Sequence, residues 1–211
     1  GGCLIWDKNE FKPNADRSWR NPGFEQDDTH PVVCVNAADA QAYVTWISKE
    51  TASTYRLLTE AESEYVIRGT STTARQPRYF FGSETGDLCQ YANTADLVSA
   101  AKYNWDTNAV APCNDGYTAT APGGQYPANA FGIKDAHGNA GSITQDCFTE
   151  SYATAPRDGS AVTFGNCEFR MVRGGSWNFS PEYIRSAYRD WLKVGLRIEK
   201  VGFRVARKLT P

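Results

Sequence analysis

Six cysteines hold the most reactive side chains of the sequence. They are Cys3, Cys34, Cys89, Cys113, Cys147 and Cys167. No two of them form the Cys-x-x-Cys pair typical of metal sites and redox motifs. An even, dispersed set indicates disulfides made in an oxidising compartment, and buried free thiols in a cytosolic protein are the alternative. Six cysteines allow fifteen pairings, and their positions alone do not choose among them.

Three carboxylates near the C-terminal end are candidates for acid–base chemistry. Glu182, Asp190 and Glu199 could each transfer a proton if the fold placed them in a cleft beside a bound molecule. The alternative is a set of charges on a solvated surface, where most carboxylates lie. A deep cleft that contains a carboxylate with a raised pKa would favour an enzyme.

The segment around two of these carboxylates is rich in apolar residues. Between residues 190 and 200 these are Trp191, Leu192, Val194, Leu196 and Ile198. Because Leu196 and Ile198 alternate with polar neighbours, one prediction is a buried strand. The alternative is an exposed apolar patch beside Phe179 and Tyr183, and such a patch would mark a binding surface.

Composition predicts one globular domain. A chain of 211 residues with 41% hydrophobic and 13% aromatic residues can bury one sizeable core, and nothing in it marks a second domain. The net charge of −2 and the lack of a Lys/Arg block argue against nucleic acid or an anionic membrane as a partner, since both need a basic face. We expect a small molecule, a glycan or another protein instead. No run approaches the ~18 apolar residues of a transmembrane segment.

Two helices are predicted before a long irregular region. Asn36 can cap a helix with one buried stripe, whose members are Ala40, Tyr43, Val44 and Ile47. Thr59 and Glu62 form a capping box that opens a second helix, which ends at Arg68 before Gly69. The rest is rich in Gly, Pro, Asn and Asp, with short aromatic or branched runs. This pattern indicates an α+β domain with little regular structure.

Several motifs in series resemble the formylglycine-generating enzyme (sulfatase-modifying factor) family. The matching segments are residues 30–36, 39–43, 55–62, 64–65, 131–139, 173–177 and 201–207. The resemblance implies a C-type-lectin-like fold of the formylglycine-generating-enzyme type, with two helices, small twisted sheets and long ordered loops. It also implies one domain over residues 1–211. Family domains usually begin earlier, so we expect an N-terminal strand and helix to be missing.

The resemblance excludes the family's copper chemistry. Its oxidising members bind copper(I) with two cysteines just beyond the Gly-Gly-Ser block, because thiolates suit that soft metal. Here residues 177–185 contain no cysteine, and none follows Cys167. We therefore expect no copper and no copper-dependent formylglycine generation.

Two other branches of the family give different expectations. The ergothioneine-synthase branch holds iron with three histidines, and the two histidines here, His30 and His137, cannot form that site. We expect no iron and predict structural roles for both. The third branch resembles the periplasmic oxidoreductase of pyoverdine maturation, which also lacks the cysteine pair. An enzyme of that type would need an acid or base such as the three carboxylates.

Calcium is the cofactor that the resemblance favours. The residues that match the family's calcium site are Asn93, Thr94, Asp115 and Tyr117. Asn and Asp oxygens with backbone carbonyls are ligands that this hard ion prefers, although Asn-Asp-Gly is also an ordinary turn sequence. A second, weaker site would use Asp135, Gly138, Ala140 and an acid at position 142, where Ser142 stands.

Small residues replace large aromatic ones at two places. The family usually reads Trp-Glu-Trp at residues 141–143 and Trp at position 63, where this chain has Gly-Ser-Ile and Ser63. One interpretation is a widened or relocated pocket, and the other is compensating substitution in the core.

The resemblance also favours one disulfide pairing. Sequential pairs close short loops and resemble those of several exported members, and they are Cys3–Cys34, Cys89–Cys113 and Cys147–Cys167. A periplasmic or extracellular location follows from this expectation.

Two function classes result. The favoured one is a non-catalytic binding module that presents Trp177, Phe179, Tyr183, Tyr188 and Trp191 to a ligand or partner. The same fold serves as the variable receptor of diversity-generating retroelements, whose altered residues lie between the Gly-Gly-Ser and Gly-Phe-Arg blocks. The alternative is a cysteine-independent oxidoreductase that acts on an exported natural product.

Overall fold

The computed structural model describes residues 2–7, 10–69 and 76–208. Its strands are β1 (Cys3–Asp7), β2 (Glu10–Asn14), β3 (Tyr55–Leu57), β4 (Gly141–Phe148), β5 (Asn166–Arg173), β6 (Asp190–Lys193), β7 (Val201–Phe203) and β8 (Val205–Arg207). Its helices are α1 (Ala37–Glu50), α2 (Glu60–Arg68) and α3 (Leu97–Tyr103). The predicted α+β class with small sheets and much irregular loop is confirmed.

Three small sheets organise the strands. The largest has the order β6-β5-β4-β7, with β4 antiparallel to β5 and parallel to β7. Strands β3 and β8 form an antiparallel pair, and β1 and β2 form a hairpin. Because β7 and β8 are separated only by Arg204, the C-terminal block joins the large sheet to the β3–β8 pair.

Helices α1 and α2 begin at the predicted residues. Asn36 Oδ1 accepts a hydrogen bond from the Asp39 backbone N–H at 2.9 Å. Thr59 and Glu62 form the predicted reciprocal box, and Gly69 ends α2 in the left-handed conformation at φ 64°. Capping boxes satisfy backbone donors that a helix leaves free, so the sequence specifies these two starts locally.

The prediction of two helices was wrong in number, because the described chain also contains α3. Asp96 caps this helix by accepting a bond from the Ser99 N–H at 2.8 Å, and Asn104 ends it in the left-handed conformation. The helix has only 7 residues, too few to show an apolar period. None of the helices described is long and apolar enough to cross a membrane.

The main core lies between α1 and the large sheet. Ala40 and Val44 of α1 pack with Ile143 of β4, Val172 of β5 and Leu192 of β6. Burying an aliphatic side chain of this size stabilises the fold by roughly 1.5–3 kcal/mol. Ile143 stands where the family usually has tryptophan, and it is fully enclosed in this core.

The three sequential disulfides are present. Cys3 bonds Cys34, Cys89 bonds Cys113, and Cys147 bonds Cys167, so the predicted pairing is confirmed. Such bonds persist in oxidising compartments, which indicates an exported or lumenal protein.

The apolar segment near the C-terminus is largely buried. Leu192 in β6 and Ile198 are enclosed, and Ile198 forms a parallel bridge with Leu4. The regular strand covers only Asp190–Lys193, so the predicted strand through Leu196 and Ile198 is wrong: Leu196 is half-buried outside any strand, and Ile198 forms an isolated bridge. Trp191 is half exposed and packs on Phe148 with ring centroids 5.1 Å apart.

Candidate functional site

An aromatic cleft of about 480 Å³ opens beside the Gly-Gly-Ser block. We use the name aromatic cleft for the cavity whose principal walls are Trp6, Phe11, Trp105, Phe179 and Lys200. Phe179 lies in the segment where the family's oxidising members have their cysteine pair.

The N-terminal hairpin supplies one wall. Trp6 and Phe11 are cross-strand partners, with ring centroids 5.0 Å apart in an edge-to-face arrangement. The hairpin is fixed to the segment that precedes Lys200, because the Leu4 N–H donates to Arg197 O at 2.8 Å and Glu199 N–H donates to Leu4 O at 3.1 Å. These bonds place the rings and the lysine in one cavity.

The opposite wall comes from two loops. The left-handed turn after α3 places Trp105, whose ring lies 6.3 Å from that of Trp6. Phe179 is held by its backbone carbonyl, which accepts bonds from Thr94 Oγ1 at 2.6 Å and from the Ala95 N–H at 3.0 Å. The cleft therefore depends on irregular loops that are fixed by specific hydrogen bonds.

Lys200 is the basic group of the cleft, whose lining also includes the exposed carboxylate of Asp106. The Lys200 Nζ lies 4.0 Å from the centroid of the Phe179 ring and 5.0 Å from that of Phe11. No described carboxylate lies within the 4.0 Å of an ion pair, and burial lowers the pKa of the amine against the opposing influence of Asp190 and Glu199. An amine in these surroundings can act as a base, because less free energy is needed to remove its proton.

Two of the three predicted carboxylates lie behind this lysine. Glu199 is 4% exposed, accepts a bond from the Trp6 N–H at 2.8 Å, and has its pKa raised to about 7 by burial. Burial also raises the pKa of Asp190. Glu182 lies instead in the exposed turn Pro181–Tyr183. The structure thus brings Asp190 and Glu199 close to Lys200 and leaves Glu182 apart.

The predicted aromatic ligand set needs a correction. Trp177 is 1% exposed and packs on Phe24 and Trp105, so it supports the cleft from behind and cannot present its ring to a ligand. Tyr183 and Tyr188 surround Phe179 at 5.9 Å each, and Trp191 packs elsewhere. Of the five predicted residues, only Phe179 is a wall of the cleft.

Sequence reasoning missed Trp6, Phe11, Trp105 and Lys200. The first two precede residue 30, where the family motifs begin, so no motif pointed to them. Lys200 adjoins the Gly-Phe-Arg block, and only the fold places its amine among the aromatic rings.

The residues of the first predicted calcium site come together. Asp115 accepts bonds from the Thr94 N–H at 3.0 Å and the Tyr117 N–H at 2.9 Å, and its own N–H donates to Asp96 Oδ2 at 2.8 Å. Asn93 Oδ1 is buried and has no hydrogen-bond partner. Burial, with Asp96 nearby, raises the pKa of Asp115 to about 7. Oxygens of buried Asp96 and partly buried Asp115 lie within 4.8 Å of each other, and carboxylate oxygens are ligands that a hard cation prefers.

Cys89 also lies within 4.8 Å of the Asp96 and Asp115 oxygens. Its sulfur is bonded to Cys113, so it is not a thiolate ligand.

The second predicted metal site is bordered by a guanidinium and lacks an acid at position 142. Both oxygens of Asp135 accept backbone N–H groups, from Gly124 and Tyr126, and its carbonyl accepts a bond from Arg204 at 2.6 Å. Ser142 adds no carboxylate. The segment with Asp135, Gly138 and Ala140 therefore already has a cation beside it, the guanidinium of Arg204.

Only glycine fits at position 138 of this fold. A Cβ at this position would lie 1.9 Å from Asn93 O, and the residue has φ 71°. No other residue type allows this approach. The bridge between Asn93 and Gly138 joins the two predicted calcium segments.

Both histidines have other partners. His137 is fully buried, with Nδ1 2.7 Å from Ile184 O and Nε2 accepting the Phe80 N–H at 3.2 Å. Because both nitrogens are engaged, His137 is not free to bind a metal. His30 Nδ1 lies 3.1 Å from Asp27 Oδ1.

A second, larger cavity of about 940 Å³ lies beside α1, and we call it the α1 pocket. Its lining includes Tyr43, Ser142, Phe203 and Arg204. A Cβ at Gly141 would lie 2.9 Å from Val172 Cγ1, so Val172 occupies the space that a tryptophan there would need. At the two positions of this segment where the family has tryptophan, Gly141 and Ile143 therefore reflect repacking of the core, and Ser142, which stands in place of a glutamate, lines the α1 pocket.

A family model and individual relatives of known identity point to the same family. A family model described as "Sulfatase-modifying factor enzyme 1-like domain" matches residues 6–209. The formylglycine-generating enzyme of Mycobacterium tuberculosis is 29% identical over 88% of this chain and 62% of its own length.

Two solved structures share the fold. PvdO from Pseudomonas aeruginosa superposes with a TM-score of 0.74 and 35% identity, over 88% of this chain and 65% of that chain. Treponema denticola variable protein 1 superposes with a TM-score of 0.69 and 18% identity, over 90% of this chain and 77% of that one. The second likeness concerns the fold alone. The chain spans 25% to 62% of the length of the curated relatives it matches.

Proposed function

The chain belongs to the sulfatase-modifying factor enzyme 1-like family, and from that premise we propose that it binds a small planar molecule in the aromatic cleft. The observation that supports this most directly is the amine of Lys200 held 4.0 Å from the Phe179 ring in a cavity with three further aromatic walls. The rings are only partly buried around a cleft of about 480 Å³, so they are accessible to a ligand.

The cleft favours a phenol-like ligand. A volume of about 480 Å³ lies within the usual range for small-molecule sites, and aromatic walls stack on planar rings. Lys200 can pair with a phenolate oxygen when it is protonated and accept a phenolic proton when it is neutral. The backbone carbonyl of Phe179 and its partners fix one wall before the ligand arrives, which limits the entropy lost on binding.

Calcium has a structural role in this proposal. Asn93, Thr94, Asp115 and Tyr117 would hold the ion, and Thr94 is also the residue whose hydroxyl bonds Phe179 O. The bound ion would stabilise the ionised form of Asp115 and fix the loop that carries this hydroxyl. A periplasmic or extracellular location, where calcium is abundant and disulfides persist, fits this role.

Calorimetric titration with a panel of phenols, catechols and hydroxyquinolines tests the proposal. We expect at least one class to bind, and Phe179→Ala to weaken that binding about tenfold or more, since it removes a stacking wall. Trp191→Ala is the matched control, because it removes an exposed ring outside the cleft. Equal loss in both variants, or no binding by any compound, would contradict the proposal. Thermal melting of each variant separates lost binding from lost folding.

A second candidate function is the cysteine-independent oxidoreductase, and the lowered pKa of Lys200 favours it. In such a reaction a catechol would lose two electrons and two protons to become a quinone. Dioxygen would accept the two electrons and the two protons and leave as hydrogen peroxide. Neutral Lys200 would take the first phenolic proton, and the peroxide would carry it away.

Oxygen uptake with 4-methylcatechol distinguishes the two functions. The oxidoreductase predicts uptake above the protein-free rate, one peroxide per dioxygen, and loss of uptake in Lys200→Met even when 4-methylcatechol is raised to the concentration that saturates this variant. Binding without uptake at any pH from about 6 to 10 supports the binding module alone.

A further inference from the structure

The α1 pocket is a cavity that the proposed function does not use. It lies among the N-terminal half of α1, the loop over residues 29–35, and the β7–β8 junction, and its volume is about 940 Å³. This exceeds the volume of the aromatic cleft and approaches the upper end of the range for small-molecule sites. A cavity of this size on an otherwise packed domain calls for a physical explanation.

Part of its wall is apolar and accessible to solvent. Tyr43 and Phe203 pack at a tilt with ring centroids 5.4 Å apart, and Tyr43 remains 41% exposed. Val32 on the facing loop is 46% exposed. Large apolar side chains gathered around a cavity are typical of a binding site, whereas single exposed ones are ordinary.

Arg204 provides the charge of the pocket. Its only hydrogen bond to a described residue runs from Nη2 to the backbone carbonyl of Asp135 at 2.6 Å, and no described carboxylate lies within ion-pair distance. The surrounding protein atoms lower the pKa of its guanidinium, yet the side chain keeps an exposed surface because it borders the open pocket. Guanidinium groups bind carboxylates through two parallel hydrogen bonds.

The other charged groups of the pocket are hydrogen-bonded within the protein, although of its carboxylates only Asp39 has a described ion-pair partner and Asp135 keeps its negative charge near Arg204. Asp39 accepts two bonds from Arg197, at 2.7 and 2.9 Å. Asp135 accepts backbone N–H groups of Gly124 and Tyr126 with its two oxygens. An incoming anion therefore has Arg204 as its available cation.

We propose that the α1 pocket binds a small aromatic carboxylate, with the carboxylate on Arg204 and the ring against Tyr43 and Phe203. The ligand is defined by this pairing of one negative charge with one planar apolar body. A neutral molecule of the same shape would leave the guanidinium unpaired and would bind more weakly. This site is separate from the aromatic cleft and does not depend on the function proposed for it.

Calorimetric titration with indole-3-acetate and its neutral analogue indole-3-acetamide tests the charge requirement. We expect the acid to bind at least about tenfold more tightly than the amide, which corresponds to about 1.4 kcal/mol. Arg204→Lys keeps the charge but loses the planar fork, and should weaken binding of the acid alone. Equal affinity for acid and amide, or no binding of the acid at about 5 mM, overturns the proposal.

A pair of variants on one helix tests the location without touching Arg204. Ala42 lines the pocket from an exposed position on α1, so Ala42→Trp should occlude the cavity and abolish binding of the acid. Thr45→Trp adds the same ring at an exposed position outside the pocket and should bind as the wild type does. If Ala42→Trp retains full affinity while Phe179→Ala loses it, the acid occupies the aromatic cleft and the proposal is overturned.

Discussion

Glu199 combines deep burial with the absence of a described cation within 4 Å. Burial raises its pKa to about 7, so between about pH 4.5 and 7 the folded protein holds a proton that the unfolded chain releases. The free energy of unfolding must therefore fall as the pH rises through this window. This unfavourable carboxylate is adjacent in the chain to Lys200, whose own charged form is also disfavoured by burial.

Replacing Glu199 by glutamine tests this account. The amide imitates the protonated acid and can still accept the Trp6 N–H, so at pH 8 the variant should gain about 1–3 kcal/mol in the free energy of unfolding. At pH 4 the gain should vanish, because both states are then protonated. Urea unfolding at the two pH values measures the difference. Glu182→Gln, on the surface, should change neither value, and an unaltered pH dependence in Glu199→Gln would contradict the assignment.

Asp115 gives a related prediction for calcium. Burial raises its pKa to about 7, so without calcium this residue also costs stability as the pH rises from about 4 to 7. Calcium favours the ionised form, and about 1 mM of it at pH 7.5 should raise the melting temperature by about 5–10 °C over the value in EDTA.

Asp115→Asn should lose this calcium response, because the ligand charge is gone. Asp28→Asn, an exposed site, serves as the control and should keep the full response. A response of equal size in both variants would place the ion elsewhere.

At the scale of elements, local signals specified some parts and not others. The capping boxes at Asn36 and Thr59 fix where α1 and α2 begin, and both starts were predictable because the partners lie within three residues. Helix α3 was missed because its box uses Ser99 where glutamate or glutamine is usual, and its few turns lie in a loop-rich region. The β1–β2 hairpin depends on contacts with residues 197–199, which no local pattern reveals.

The Cys3–Cys34 disulfide is expected to hold this hairpin against the cleft. Changing both cysteines to serine should cost about 3–4 kcal/mol, given the loop it closes, and should also weaken ligand binding in the aromatic cleft because Trp6 and Phe11 lose their anchor. Urea unfolding and calorimetry measure the two effects.

Removing Cys147–Cys167 in the same way is the matched control. It closes a loop of similar length away from the cleft walls, so stability should fall by a comparable amount while ligand affinity is retained. If both double variants lose the same affinity for the ligand of the aromatic cleft, general destabilisation, and not the position of the hairpin, controls binding.

At the scale of the whole molecule, the order of the family motifs was sufficient to predict the fold, and likeness to exported members of the family gave the disulfide pairing. That order was not sufficient to predict the site. The aromatic cleft joins residues from both ends of the chain, Trp6 and Lys200, and their proximity is set by tertiary contacts. Trp177 shows the same limit. An aromatic residue in a motif can line a ligand site or belong to the core, and only the packing in the structure shows that Trp177 is buried.

The close contact at Gly138 has a consequence for motion. Around it, N–H groups of Gly138, Asn139 and Trp177 donate across three loops to Gly174 O, Asn93 O and Asn139 O, at 2.8, 2.8 and 2.9 Å. These amides lie outside the helices and strands, yet they can open only if several loops separate together. In hydrogen–deuterium exchange we expect these three amide hydrogens to be retained as long as those of β4 and β5. The slowest-opening part of the protein would then include these loops as well as the large sheet. Early exchange of Asn139 relative to β4 would contradict this.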